Sequence, residues 1–202
     1  LRDGIRSILS RCLPIVEAYQ ISGWRQHRHC WKKVKNLCRR IDRIAQKKGP
    51  NYQARMKTFY RDLLKETEQI IGRARLLCVQ QNLTAAATDD IFGDHTLQAF
   101  IARTERVLDT ARRRVLLGEC VPNSDKLFSM FEPHTQLYRR GKAGQPNQFG
   151  RQVLVFEDSA GFLIHRSLMP RNKSDKEVAV EQTKIVQQRF GNAIKRLSFD
   201  RG

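Results

Sequence analysis

A chain of 202 residues with 40% apolar and 8% aromatic side chains can bury one sizeable core or two small ones, so disorder is not its default state. Its 38 lysines and arginines against 20 aspartates and glutamates leave a net charge of +18, which favours a polyanion, nucleic acid or an anionic membrane surface, as partner. No run approaches the ~18 to 20 uninterrupted apolar residues that a bilayer span requires, and five cysteines without a CxxC pair fit reduced thiols in a cytoplasm better than a disulfide framework.

Residues 1 to 20 read as a short helical segment disturbed at Pro14, because proline removes a backbone donor and crowds the preceding turn. From Trp31 the apolar positions Val34, Leu37, Cys38, Ile41, Ile44 and Ala45 fall three and four apart, which predicts a helix with one apolar face. A long helix follows the Gly49-Pro50 break, with Tyr52, Met56, Phe59, Tyr60, Leu63, Leu64, Ile70, Ile71, Ala74, Leu77 and Cys78 in the same period. Another begins after Thr88-Asp89-Asp90 and Asp94 and carries Leu97, Phe100, Ile101, Val107, Leu108, Ala111 and Val115 to a stop at Gly118. Residues 1–118 are therefore expected to form a helical hairpin or small bundle.

Beyond 118 the pattern changes. Leu127 to Phe131 is a strand candidate and Phe149 to Phe156 a stronger one. Glu157 to Gly161 is a turn by composition, and Phe162 to Met169 reads as the returning strand of a hairpin. Asp175 to Arg189 has helical spacing, and Ile194 to Phe199 is a last strand. The fold class expected is α+β or α/β, with 119–202 as a second domain and Asp200 at the carboxyl end of the final strand.

The densest electrostatic feature is the segment 25–48, which carries Arg25, Arg28, Lys32, Lys33, Lys35, Arg39, Arg40, Arg43, Lys47 and Lys48 against Asp42 alone. Such density suits contact with phosphates, with no sign of base-specific reading. Arg139, Arg140 and Lys142, beside Gly141 and Gly144, form a second candidate phosphate loop, against which stands an ordinary solvated basic loop. Cys30 and Cys38 lie near His27 and His29, yet the ligand spacings of a zinc site are missing. Asp200 is a candidate metal carboxylate, although an aspartate before glycine also simply ends a strand. His134 is a candidate phosphate or orienting group, and His165 a strand residue that either faces solvent or fills a half-buried position.

The stretch Lys126-Leu127-Phe128-Ser129-Met130-Phe131-Glu132-Pro133-His134-Thr135, then Gly141-Lys142-Ala143-Gly144, Phe156-Glu157-Asp158 with Gly161-Phe162, and Ser198-Phe199-Asp200-Arg201-Gly202 resembles insertion-sequence transposases of the ISNCY group. The opening Leu1 to Arg6 and the Gly23-Trp24-Arg25 region look like the helical part of those enzymes. The resemblance implies a DDE transposase with a partial RNase H-like mixed sheet, preceded by an all-helical insertion that would be residues 1–118. It implies that the 194–199 strand lies parallel to the 127–131 strand, and that Asp200 is the second triad carboxylate and a ligand of Mg²⁺, or alternatively Mn²⁺. The first aspartate is expected upstream of Leu1 and the glutamate downstream of Gly202, so these residues read as an internal piece that is inactive alone. Glu132 and Asp158 rank low as substitute ligands, Asp158 being placed to make an Asx-type turn. The implied partners are DNA at element ends and target, a homo-oligomer of the full-length enzyme and no membrane, and the implied location is on DNA in the cytoplasm. The alternative reading is a non-catalytic basic helical module that binds nucleic acid.

Overall fold

The computed structural model describes residues 1–24, 26–81, 95–139, 144, 146–170 and 173–198, without the side chain of Asp175. The chain divides into two units, Leu1–Thr135 and Gln136–Gly202.

Three-and-four spacing of apolar residues becomes four helices in the first unit. In α1 (Arg2–Ala18), α2 (His27–Lys47), α3 (Tyr52–Gln80) and α4 (Leu97–Ala111), the buried positions repeat at helical period. Val34, Leu37, Ile41 and Ile44 of α2 face α3, which supplies Leu63, Leu64, Ile70, Ile71, Ala74 and Leu77 to the same core. Ile5, Ile8 and Cys12 of α1 and Phe100 of α4 are fully buried and close the bundle. Pro14 does not interrupt α1. Both Pro14 and Ser10 are exposed, so the carbonyl deprived of its donor lies on the solvent side, where water serves it.

Helix α4 starts at Thr96, whose side chain accepts from the Ala99 amide at 3.2 Å, and runs into a π-helical turn, Arg112–Leu117. It stops at Gly118, where φ is +77°. The first unit does not stop there. The segment expected as a strand, 127–131, is irregular and lies along α4: Arg103 donates to the Met130 carbonyl at 3.2 Å, and Phe131 meets Phe100 edge-on at 5.7 Å. Arginine side chains and ring packing satisfy this apolar run in place of a strand ladder.

Among the described residues, the second unit contains two separate two-stranded antiparallel sheets and one helix. Strands β1 (Gln136–Arg139) and β2 (Asn147–Gly150) pair from Gln136↔Gly150 to Arg139↔Asn147. Strands β3 (Val153–Glu157) and β4 (Leu163–Leu168) pair from Val153↔Leu168 to Phe156↔His165, with a register shift before Glu157. The hairpin expected over 149–169 is thus present, but its first strand is divided after Gly150, whose φ of +150° is a conformation open chiefly to glycine. Helix α5 (Asp175–Arg189) has the expected bounds and opens on a capping box: the Glu177 amide donates to Ser174 Oγ and the Ser174 amide to Glu177 Oε2.

Residues 194–198 are not a strand. The chain turns at Gly191 and Asn192 instead, and Gln187 Nε2 donates to the Ile194 carbonyl at 3.3 Å. With neither 127–131 nor 194–198 extended into a ladder, the parallel pairing expected between them is absent among the described residues. The observed class is α+β. Among the described residues, no helix is long and apolar enough to cross a membrane.

Candidate nucleic-acid interface

The first unit carries many cations, and the structure separates them by what they touch. One set binds protein. Arg11 donates to the His95 carbonyl at 2.7 Å and lies 4.0 Å from the Phe100 ring centre. Arg73 donates to the Gly23 carbonyl and covers Trp24, and Arg75 pairs with Glu105 at 2.7 Å. Arg112 pairs with Glu68. Arg113 holds Glu119 at 2.8 Å and Asp125 at 3.0 Å, while Arg106 donates to the Ser124 and Asp125 carbonyls. These arginines tie helices and the 119–131 segment together, and their charges are already engaged.

Other exposed cations have no such partner: Arg6, Arg55, Arg61, Lys65 and Arg114 are scattered over the unit, and the longest row lies on helix α2. Arg28, Lys32, Lys35, Arg39, Arg43 and Lys47 are all exposed, and none has a hydrogen-bond or ion-pair partner among the described residues. Their spacings of four, three, four, four and four residues set them in one row opposite the buried Val34, Leu37, Ile41 and Ile44. At 1.5 Å per residue the row spans about 28 Å. Like charges three or four apart on a helix repel by ~0.2–0.5 kcal/mol per pair, and the row contains five such pairs. The apolar face packed on α3 sustains a helix that its own outer face opposes. A polyanion laid on the row removes that opposition.

Two expected contact residues also touch α3. Lys33 donates to Glu66 of α3, and Arg40 lies 5.6 Å from the Phe59 ring centre. Both occupy the shoulder of α2 that faces α3. Lys47 completes the row instead, and its four-residue step from Arg43 was visible in the sequence. Arg139 is exposed at the end of β1 in the second unit. Arg25, Arg140, Lys142 and Asp200 lie outside the described residues.

The carboxylates weighed as metal ligands are engaged locally. Asp158 Oδ1 accepts from the amides of Ala160 and Phe162, both at 2.9 Å, which is the Asx-type turn expected of it. Glu132 Oε2 accepts from Thr135 Oγ1 at 3.4 Å. Among the described residues, no group of three or more His, Cys, Asp or Glu is placed to hold a metal, including the Cys30, Cys38, His27 and His29 neighbourhood. The described carboxylates do not gather into a Mg²⁺ site. His165 Nε2 lies 2.8 Å from Gln182 Oε1, with its ring edge-on to Phe156, a structural role between β4 and α5. His134 is exposed.

No family model, curated protein or solved structure matches the chain.

Proposed function

We propose that the first unit binds the phosphate backbone of DNA through the outer face of α2, and that the chain is the DNA-holding part of a DDE transposase. The observation that carries the binding reading is the row of six exposed cations without protein partners, in a unit whose other arginines are largely engaged. The resemblance of residues 126–135, 156–162 and 198–202 to ISNCY-group transposases supports the second half. So does an antiparallel hairpin, β3–β4, followed by α5, an order compatible with part of an RNase H-like core. In this reading the protein works on cytoplasmic DNA, as a homo-oligomer in the full-length enzyme, with Asp200 a Mg²⁺-binding triad carboxylate.

Titrating a fluorescent DNA duplex with the 202-residue protein at several salt concentrations tests the binding half. Neutralisation of six phosphates predicts that log affinity falls with log salt at a slope of about −5. A slope near zero would end the phosphate-binding reading. For the enzyme half, Asp200→Asn in a full-length reading frame should abolish transposition of a marked element while DNA binding persists. Unchanged transposition would remove Asp200 from the triad.

A further inference from the structure

We infer that α2 enters the major groove of double-stranded DNA, a mode that rests on the DNA-binding reading above and narrows it to one groove of one nucleic acid. Helix α2 lies at the edge of its bundle: it packs on α3 and, less extensively, on α1, and has no comparable contact with α4. About half its circumference is therefore free over 21 residues. A helix ~10–12 Å across fits the ~12 Å major groove of B-form DNA, whereas the deep, narrow major groove of A-form RNA does not admit side chains.

The charges suit a groove better than a flat strand. Cations flank the crest of the free arc as well as occupying it, so phosphates on both groove walls come within reach of long, flexible side chains. Single strands are held differently, by aromatic side chains on which successive bases stack. The exposed face of α2 has no Phe, Tyr or Trp, and His29 is its one exposed ring. Trp31 is half-buried toward the core, Trp24 is buried beneath Arg73, and Phe59 is half-buried beneath Arg40. These three aromatics are thus turned into the bundle, leaving an exposed face that is mainly basic.

The test compares one sequence as duplex DNA, as single-stranded DNA and as duplex RNA, at each of several salt concentrations, with the intact 202-residue protein. Duplex DNA should bind at least about tenfold more tightly than either alternative, because only it offers both the groove and the phosphate density. Methyl green, a major-groove ligand, should displace the protein, and netropsin, a minor-groove ligand, should not. Salt-dependent binding that is equal for all three nucleic acids, or that netropsin alone displaces, would overturn groove entry while leaving the phosphate-binding reading intact. Tighter binding to duplex RNA would point to an RNA partner and overturn it as well. Absence of salt-dependent binding to any of them would overturn both.

Discussion

Lys33 on the shoulder of α2 donates its Nζ hydrogen bond to Glu66 of α3, a carboxylate whose side chain is only 9% exposed. The bond turns a lysine of the most basic segment into a structural strut. Lys33→Met leaves the Glu66 carboxylate without its cation and should cost about 1–2 kcal/mol, discounted because Lys33 itself is half exposed. DNA affinity should fall much less than for Lys32→Met, one position away on the free row. Urea unfolding and anisotropy titration of the two variants separate these effects. The hydrogen bond to Glu66 also raises the Lys33 pKa above its ordinary 10.5. Its contribution is therefore complete below pH 10.5 and is lost as pH rises through the raised value, and the gap between wild type and Lys33→Met should close there.

Gly4 sets how closely α1 approaches α4. A Cβ at this position would overlap Thr104 Oγ1 and come 2.7 Å from the Met130 Cε. Met130 can swing aside, but Thr104 is fully buried and its hydroxyl is bonded to the Phe100 carbonyl at 2.6 Å. Gly4→Ala should therefore destabilise the protein by about 1–2 kcal/mol, despite alanine's better helix propensity. A thermal midpoint equal to or above wild type would show that α1 shifts freely.

How much of this was legible in the sequence depended on period. Helices α2, α3 and α5 follow from apolar spacing alone, since each buries one face against a neighbour. The run Leu127 to Phe131 misled because it is apolar and aromatic, as a strand would be, yet its partners are Arg103 and Phe100, far away in sequence and invisible to a local pattern. Strand β1 was missed for the opposite reason: Gln-Leu-Tyr-Arg carries little strand signal, and the structure supplies its partner in β2. In the candidate interface, composition showed the charge of 25–48, but not that Lys33 and Arg40 face α3. Helical phase alone puts those two at the edge of the free arc, and Glu66 and Phe59 decide what they do there.

Cysteine reactivity should follow burial. Cys12 is fully buried and burial pushes its thiol up to about 12, so it resists alkylation in the native protein near pH 8. Cys120 is exposed and should be labelled first, with the half-buried Cys30, Cys38 and Cys78 slower. Mass spectrometry after brief exposure to N-ethylmaleimide checks the order. Early labelling of Cys12 would contradict a closed bundle.

Acid should loosen the segment after Gly118 before the helices melt. Asp125 is held below its ordinary 3.8 by the hydrogen bond from Arg113, then by that from Ser124. A depressed carboxylate contributes stability that is fully present above 3.8 and is lost as pH falls through the lower, folded value. Wild type and Asp125→Asn should differ in urea midpoint at pH 6 and converge as pH falls through the lowered folded value. A difference constant down to pH 2 would show that the Arg113 pairing contributes nothing through charge.

The cation row on α2 makes stability and binding move in opposite directions. Arg28, Lys32, Lys35, Arg39, Arg43 and Lys47 repel one another along a helix whose one acidic residue is Asp42, and none of them is ion-paired among the described residues. Neutralising two, as in Lys32→Gln with Arg39→Gln, removes four of the five repulsive pairs and should stabilise the free protein by about 1 kcal/mol at low salt. Screening by added salt should raise the wild-type melting temperature and shrink the gain of the double variant, the reverse of what engaged ion pairs do. The same two substitutions should weaken duplex binding and reduce the slope of log affinity against log salt by about 2. A more stable variant that binds less tightly is the signature of a surface kept for a ligand. If the double variant proved less stable than wild type, the row would belong to the bundle's own electrostatics and α2 would lose its standing as the DNA-facing helix.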